Sequence, residues 1–98
     1  MEHVKLARMI LDAQRAEITE HVIYKKLAQM VPDSHNRQIL QSIAADEKEH
    51  YQFWKQHTQQ DIKPSRFKVW VYQLLAKFFG LTFAIRLMER GEDLAQEN

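Results

Sequence analysis

Apolar residues recur along most of the chain at steps of three and four positions, the spacing that places side chains on one face of an α-helix. Segments with this spacing are separated by short stretches that contain Pro32, Pro64 and Gly80. These breaks predict helices over residues 4–30, 34–58, 67–79 and 81–96, with Asp33 or Ser34 as the N-cap of the second. Strand-like alternation is absent and helix-forming residues dominate, so we predict an all-α fold.

A glutamate interrupts the apolar row of each of the three long predicted helices. The rows are Leu6, Ile10, Ala13, Glu17, Tyr24, Leu27 and Val31, then Leu40, Ile43, Glu47, His50, Trp54 and His57, then Leu81, Ile85, Met88, Glu92 and Ala95. The i, i+3 spacing of Glu47 and His50 places both on one helix face, about 5–6 Å apart at Cβ. An inward Glu-x-x-His is a metal-ligand arrangement in helical bundles, and a buried carboxylate is costly unless it is paired or binds a metal.

Each interruption also has a plainer interpretation. Glu47 could face water, as most glutamates do, and Glu17 could lie at the edge of its stripe. Gly91 could be a C-cap with Glu92 outside the helix, or it could allow close approach of another helix. Tyr24 could pack in the core or hydrogen-bond a buried carboxylate. Two further carboxylates border the same faces, Glu20 beside Glu17 and Glu89 one turn before Glu92.

The amino-acid composition limits the kinds of binding site that the chain can form. A chain of 98 residues is one domain or part of one, and its net charge of +1 without a long basic tract does not indicate nucleic-acid binding. Because the chain has no cysteine, any metal must be held by Glu, Asp and His, which suits iron, manganese or zinc. No secretory signal precedes the first helix, and we expect a cytoplasmic protein.

The aromatic segment 67–79 allows three interpretations: a short helix that crosses the bundle, a partner-binding face, or an interfacial membrane helix with lysines at its rim. It is too short and too interrupted by polar residues to span a membrane. The crossing helix is favoured, because a bundle with parallel neighbours needs such a connection.

The motifs resemble a known family. Glu17 followed by Tyr24, and then Glu47-x-x-His50, is similar to the rubrerythrin branch of the ferritin-like superfamily. Residues 23–28, 79–83 and 87–92 resemble the ferritin-like domains that precede membrane iron/manganese transporters of the vacuolar iron transporter type. The resemblance implies a four-helix bundle with a di-iron centre, the ligands Glu17, Glu47, His50 and Glu92, and a possible link to a membrane transporter. It also implies oxidation of ferrous iron in iron homeostasis and oxidative-stress defence. Glu20, Glu89 and Tyr24 are additional candidates.

The chain departs from the family pattern in one respect. A second Glu-x-x-His on a fourth long helix is missing, so one chain supplies four of the six usual ligands. We therefore expect a single but incomplete domain over 1–98, a ferritin-like bundle with three long helices and a short crossing helix. The bundle would be completed either by a missing fourth helix or by a partner chain in a homodimer or even-numbered homo-oligomer. An open ligand face would expose Leu40, Ile43, Ile85 and Met88. Two alternatives stay open: a non-catalytic iron-sensing or delivery module, and a helical interaction module without metal.

Overall fold

Four α-helices make up the fold. The computed structural model describes the backbone of residues 2–97 and the side chains of residues 2–91. Within that part the chain forms α1 (Glu2–Met30), α2 (Ser34–Thr58), α3 (Arg66–Phe79) and α4 (Leu81–Glu97), and it contains no strand. The all-α prediction is confirmed, and each helix bound lies within two residues of the predicted one.

The α1–α2 turn is fixed by local polar contacts. Pro32 follows the end of α1, and Asp33 caps α2 by accepting a hydrogen bond from the backbone N–H of Asn36 at 3.0 Å. The guanidinium of Arg37 donates to the carbonyl oxygen of Val31 through Nε and Nη2, at 3.1 and 3.0 Å. This turn brings α2 back along α1, and the two helices form the largest interface of the fold.

Buried polar side chains hold the connection between α2 and α3. Gln14, fully buried in α1, donates from Nε2 to the carbonyl oxygen of Gln60 and accepts at Oε1 from the hydroxyl of Thr58, both at 2.7 Å. Thr19, also in α1, accepts from the backbone N–H of Ser65 at 3.0 Å. Because these contacts tie the connection to α1, α3 begins beside α1 and packs against it.

Gly80 forms the corner between α3 and α4. Its φ of 96° and ψ of 157° fall in a region of backbone conformation that is essentially restricted to glycine. The corner lets α4 start at Leu81 and pack against α3. The predicted helix break at this glycine is therefore confirmed.

The apolar rows of all four helices meet in one core. Ile23 and Leu27 are the largest fully buried apolar side chains. Around them lie Tyr24, Ala28, Val31, Leu40, Ala44, Val69, Ala76, Ala84 and Met88. The expectation of an open apolar ligand face was wrong: Leu40 and Met88 are buried, and Ile43 and Ile85 pack partly buried against the same core.

Gly91 lies inside α4, so it is not a C-cap, and a Cβ added there would have no described atom within 4 Å, so no helix approaches closely at this point. Among the described residues, no helix has both the length and the apolar character needed to cross a bilayer.

Candidate metal site

Glu17 of α1 meets Glu47 and His50 of α2. The Nδ1 atom of His50 lies 3.2 Å from Oε2 of Glu17 and 3.8 Å from Oε1 of Glu47. One ligand atom from each of the three residues lies within 4.8 Å of the others, which is the grouping expected of a metal site. Two of the three apolar rows that a glutamate interrupts in the sequence, those of α1 and α2, thus place their glutamates side by side.

The packing of α1 against α2 sets this geometry. The imidazole of His21, one turn after Glu17, donates from Nδ1 to the backbone carbonyl oxygen of Ala44 at 2.6 Å. Ala44 is itself buried three residues before Glu47. This hydrogen bond therefore fixes the axial register of the two helices immediately next to the acidic residues.

The two carboxylates are largely shielded and the imidazole is not. The exposed fractions of the side chains are 23% for Glu17, 16% for Glu47 and 58% for His50. The interpretation in which Glu47 faces water is wrong, because the α1–α2 interface covers most of its side chain. His50 instead lies at the mouth of the site, where solvent reaches it.

A cleft of about 780 Å³ opens over the three residues. Its α1 wall includes Arg15 and Glu20, and its α3 wall includes Lys68 and Tyr72. Met88 and Gly91 of α4 close its far edge. The acidic group therefore lies inside a recess formed by all four helices, with two basic side chains at its walls.

The carboxyl group of Glu47 is held in its charged form. Burial raises its pKa, but hydrogen bonds with Glu17 and Glu20 and the charges of His50 and His21 lower it, and the pKa lies below its ordinary value of 4.5. A hydrogen bond between two carboxyl groups needs a shared proton. A cation between them would take the place of that proton and neutralise the cluster.

The remaining predicted site residues have different surroundings. Glu20 lines the cleft and contacts Glu47. Tyr24 is buried in the core cluster, which fits the packing role that the sequence left open for it. Glu89 is exposed and does not belong to the described group of ligands. The backbone of Glu92 is helical, but its side chain lies outside the described residues.

Sequence reasoning missed two contributors to the site. His21 was not among the predicted site residues, although its charge acts on Glu47 and its ring hydrogen-bonds the carbonyl of Ala44. Lys68 was not among the predicted site residues either, although it lines the cleft. The one signal for His21 in the sequence was its i, i+4 spacing from Glu17, which places both on one face of α1.

Comparisons with known proteins return no relative: the chain matches no protein-family model, no curated protein and no solved structure.

Proposed function

We propose that the chain binds a divalent transition-metal ion between Glu17, Glu47 and His50, and that it acts as a carboxylate-bridged di-iron protein of the ferritin-like, rubrerythrin type. The observation that carries the proposal is the convergence of three ligand atoms, from two helices, within 4.8 Å. Carboxylate oxygens with an imidazole nitrogen suit iron, and also manganese or zinc.

The residues of the site fit a cation. Carboxylates that are largely removed from water repel each other unless a proton or a positive ion lies between them. Glu17 and Glu47 are the most shielded of the three ligands, and His50 presents Nδ1 to both of them. A bound ion would gain two charged oxygens and one nitrogen from side chains that the packing of α1 against α2 already brings together.

A second iron needs further ligands. Glu20 is near enough to contact Glu47, and the resemblance assigns Glu92 of α4 as a ligand. A partner chain is the other source. A pair of bound irons would supply the redox chemistry: ferrous iron would be the substrate that is oxidised, and dioxygen or peroxide would be the oxidant. The residues of this chain would hold the ions, and the cleft would admit iron and oxidant past His50.

Metal titration tests the binding step. We expect Fe²⁺, added without oxygen, and Mn²⁺ to bind the wild-type chain, and Glu47→Gln or His50→Ala to lose at least tenfold in affinity, because each removes a ligand. Glu49→Gln is the matched control: it lies on the same helix, removes the same charge and is exposed. Equal metal content in Glu47→Gln and wild type, by elemental analysis, would refute the proposal.

Oxidation of ferrous iron tests the chemistry. We expect the wild-type chain to oxidise Fe²⁺ in air several-fold faster than buffer, and Glu47→Gln to be no faster than buffer. Binding without accelerated oxidation would instead favour the second candidate, an iron-sensing or delivery module. The observation in favour of that candidate is the exposure of His50, which leaves one side of the site open for metal exchange.

A further inference from the structure

Helix α3 is apolar on two opposite faces. Its inner face, which includes Val69 and Ala76, is buried in the core. Its outer face carries a second row of apolar side chains, and this outer stripe consists of Phe67, Trp70, Val71, Leu74 and Phe78. A helix that only covers a core needs one apolar face, so the second face needs a separate explanation.

The outer stripe is straight, its aromatic members are exposed, and Val71 and Leu74 between them are half-buried. At about 100° per residue, its five members fall within roughly 60° of one line along the helix. Phe67 is 72% exposed, Trp70 57% and Phe78 69%. The exposed apolar surface continues onto α4, where the ring of Phe83 lies 5.4 Å from that of Phe79. Contiguous apolar surface of this kind normally contacts a partner or a membrane.

The charged residues of α3 and of the chain next to it in sequence, from residue 62 to residue 88, are all positive. Between residues 62 and 88 the chain has five basic residues and no acidic one. They are Lys63, Arg66, Lys68, Lys77 and Arg86. On the helical projection Lys68 lies on one side of the stripe, and Arg66 and Lys77 lie on the other, each about 80–100° from its centre. Nζ of Lys77 is 5.8 Å from the ring centre of Phe78, so its stem lies against the stripe.

We propose that the outer stripe docks on the surface of an anionic lipid bilayer, with α3 parallel to the membrane plane. Aromatic side chains on one face and basic side chains at both rims are the pattern of a helix that inserts its apolar face to the level of the headgroups. The rim cations then lie at the depth of the anionic phosphates, where each contributes to binding. Charge complementarity selects lipid here, because the surrounding segment offers no acid to pair with a mixed-charge protein surface. The proposal does not depend on a bound metal, although Lys68 also lines the cleft over the acidic group.

Vesicle binding by the full 98-residue chain tests it. We expect sedimentation with vesicles of equal parts phosphatidylglycerol and phosphatidylcholine at low salt, and weak binding to phosphatidylcholine alone. Trp70→Ser/Phe78→Ser should reduce the partition coefficient at least tenfold, and Arg66→Gln/Lys77→Gln about 30-fold, since two rim cations are removed. In a Trp54→Phe background, the emission of Trp70 should shift to shorter wavelength on binding.

Matched controls separate the stripe from general surface character. Leu6→Ser/Met9→Ser removes two apolar side chains of similar exposure from α1, and Lys25→Gln/Lys48→Gln removes two exposed lysines from α1 and α2. Both should bind vesicles within twofold of wild type. Three results would overturn the proposal: no binding to anionic vesicles, equal loss of binding in the controls, or a wild-type dimer that Trp70→Ser/Phe78→Ser converts to a monomer, which would mean that a second copy covers the stripe.

Discussion

The Nδ1 atom of His50 lies 3.2 Å from Oε2 of Glu17, although the two residues are 33 positions apart and belong to different helices. A shift of one residue in the register of α1 against α2 would turn a side chain by about 100° and separate the pair. The hydrogen bond from His21 to the carbonyl of Ala44 opposes such a shift. The candidate site therefore depends on the same contacts that join the two longest helices.

Glu17→Gln should have opposite effects with and without metal. It removes one of several clustered carboxylate charges, which repel each other by up to about 4 kcal/mol per pair near a protein surface, but it also weakens the contact with His50. The metal-free protein should therefore become more stable by only about 1 kcal/mol. It also removes a ligand, so the rise in Tm that Mn²⁺ gives the wild type should shrink or disappear. Thermal melts with chelator and with Mn²⁺ measure both, with Glu49→Gln as the control. A metal-induced rise equal to that of wild type would contradict the assignment of Glu17.

The two glycines should respond oppositely to alanine. Gly80 has a φ of 96°, so Gly80→Ala should cost about 1–3 kcal/mol of the free energy of unfolding through backbone strain. Gly91 is helical and a Cβ there would have no described neighbour within 4 Å, so Gly91→Ala should stabilise by about 0.5–1 kcal/mol through helix propensity. Urea unfolding measures both. Similar unfolding midpoints for the two variants would mean that alanine at position 80 does not strain the α3–α4 corner.

Local signals explain which parts of the fold could be predicted. Pro32, Asp33 and Gly80 restrict the backbone within a few residues of themselves, so the helix bounds followed from the sequence. The meeting of Glu17 with Glu47 also followed, because each interrupts an apolar row and apolar rows pack together.

Long-range contacts explain what could not be predicted. Gln14 and Thr19 hydrogen-bond to the α2–α3 connection more than 40 residues away, and nothing in their own surroundings in the sequence specifies those partners. For the same reason Met88 was expected on an open face. Its burial depends on how α4 folds back at Gly80, and helical periodicity does not encode that direction.

Gln14→Met should loosen the α2–α3 connection. The substitution keeps the side-chain length but removes the donor to the carbonyl of Gln60 and the acceptor for Thr58. We expect a loss of about 1–3 kcal/mol in the free energy of unfolding, since the carbonyl of Gln60 and the hydroxyl of Thr58 lose their hydrogen-bond partner. Gln29→Met, at an exposed position of the same helix, should change stability by less than about 0.5 kcal/mol. An equal effect of the two substitutions in urea unfolding would argue against a specific role for Gln14.

The ion pair of Lys55 and Asp61 should give a small, pH-dependent stabilisation. Nζ of Lys55 lies 2.6 Å from Oδ1 of Asp61. The hydrogen bond and charge of Lys55 lower the pKa of Asp61 below 3.8, and the same contacts raise the pKa of Lys55 above 10.5. The contribution of Asp61 to the stability of the fold is thus full above pH 3.8 and is lost as the pH falls through its lowered pKa. The contribution of Lys55 to stability is full below pH 10.5 and is lost as the pH rises through its raised pKa.

Asp61→Asn keeps an acceptor for the hydroxyl of Tyr51 and removes only the charge. Its urea midpoint should be slightly below that of wild type throughout the neutral range, and the difference should narrow in acid below the ordinary aspartate pKa of 3.8. Asp46→Asn, an exposed site on α2, controls for the change in net charge. A difference that stays constant down to the acid limit would show that the charge of Asp61 is not the cause.

The candidate metal site is incomplete and open on one side, which predicts self-association of the chain. The described residues of one chain offer three ligands, and the exposure of His50 leaves the site open on the side away from the core. Two-fold pairing is the commonest arrangement of homo-oligomers, and across such an axis a second Glu47 and His50 would complete the coordination of two metals. We therefore expect a homodimer, or a larger even-numbered assembly, with Glu47 and His50 close to the two-fold axis.

Light scattering at micromolar concentration should give at least twice the chain mass of 11.7 kDa. His50→Arg should yield monomer, because two bulky cations would face each other at the axis, whereas His35→Arg, at an exposed position near the start of α2, should leave the dimer intact. A monodisperse wild-type monomer with metal bound would refute the pairing, and the remaining ligands would then have to come from the same chain.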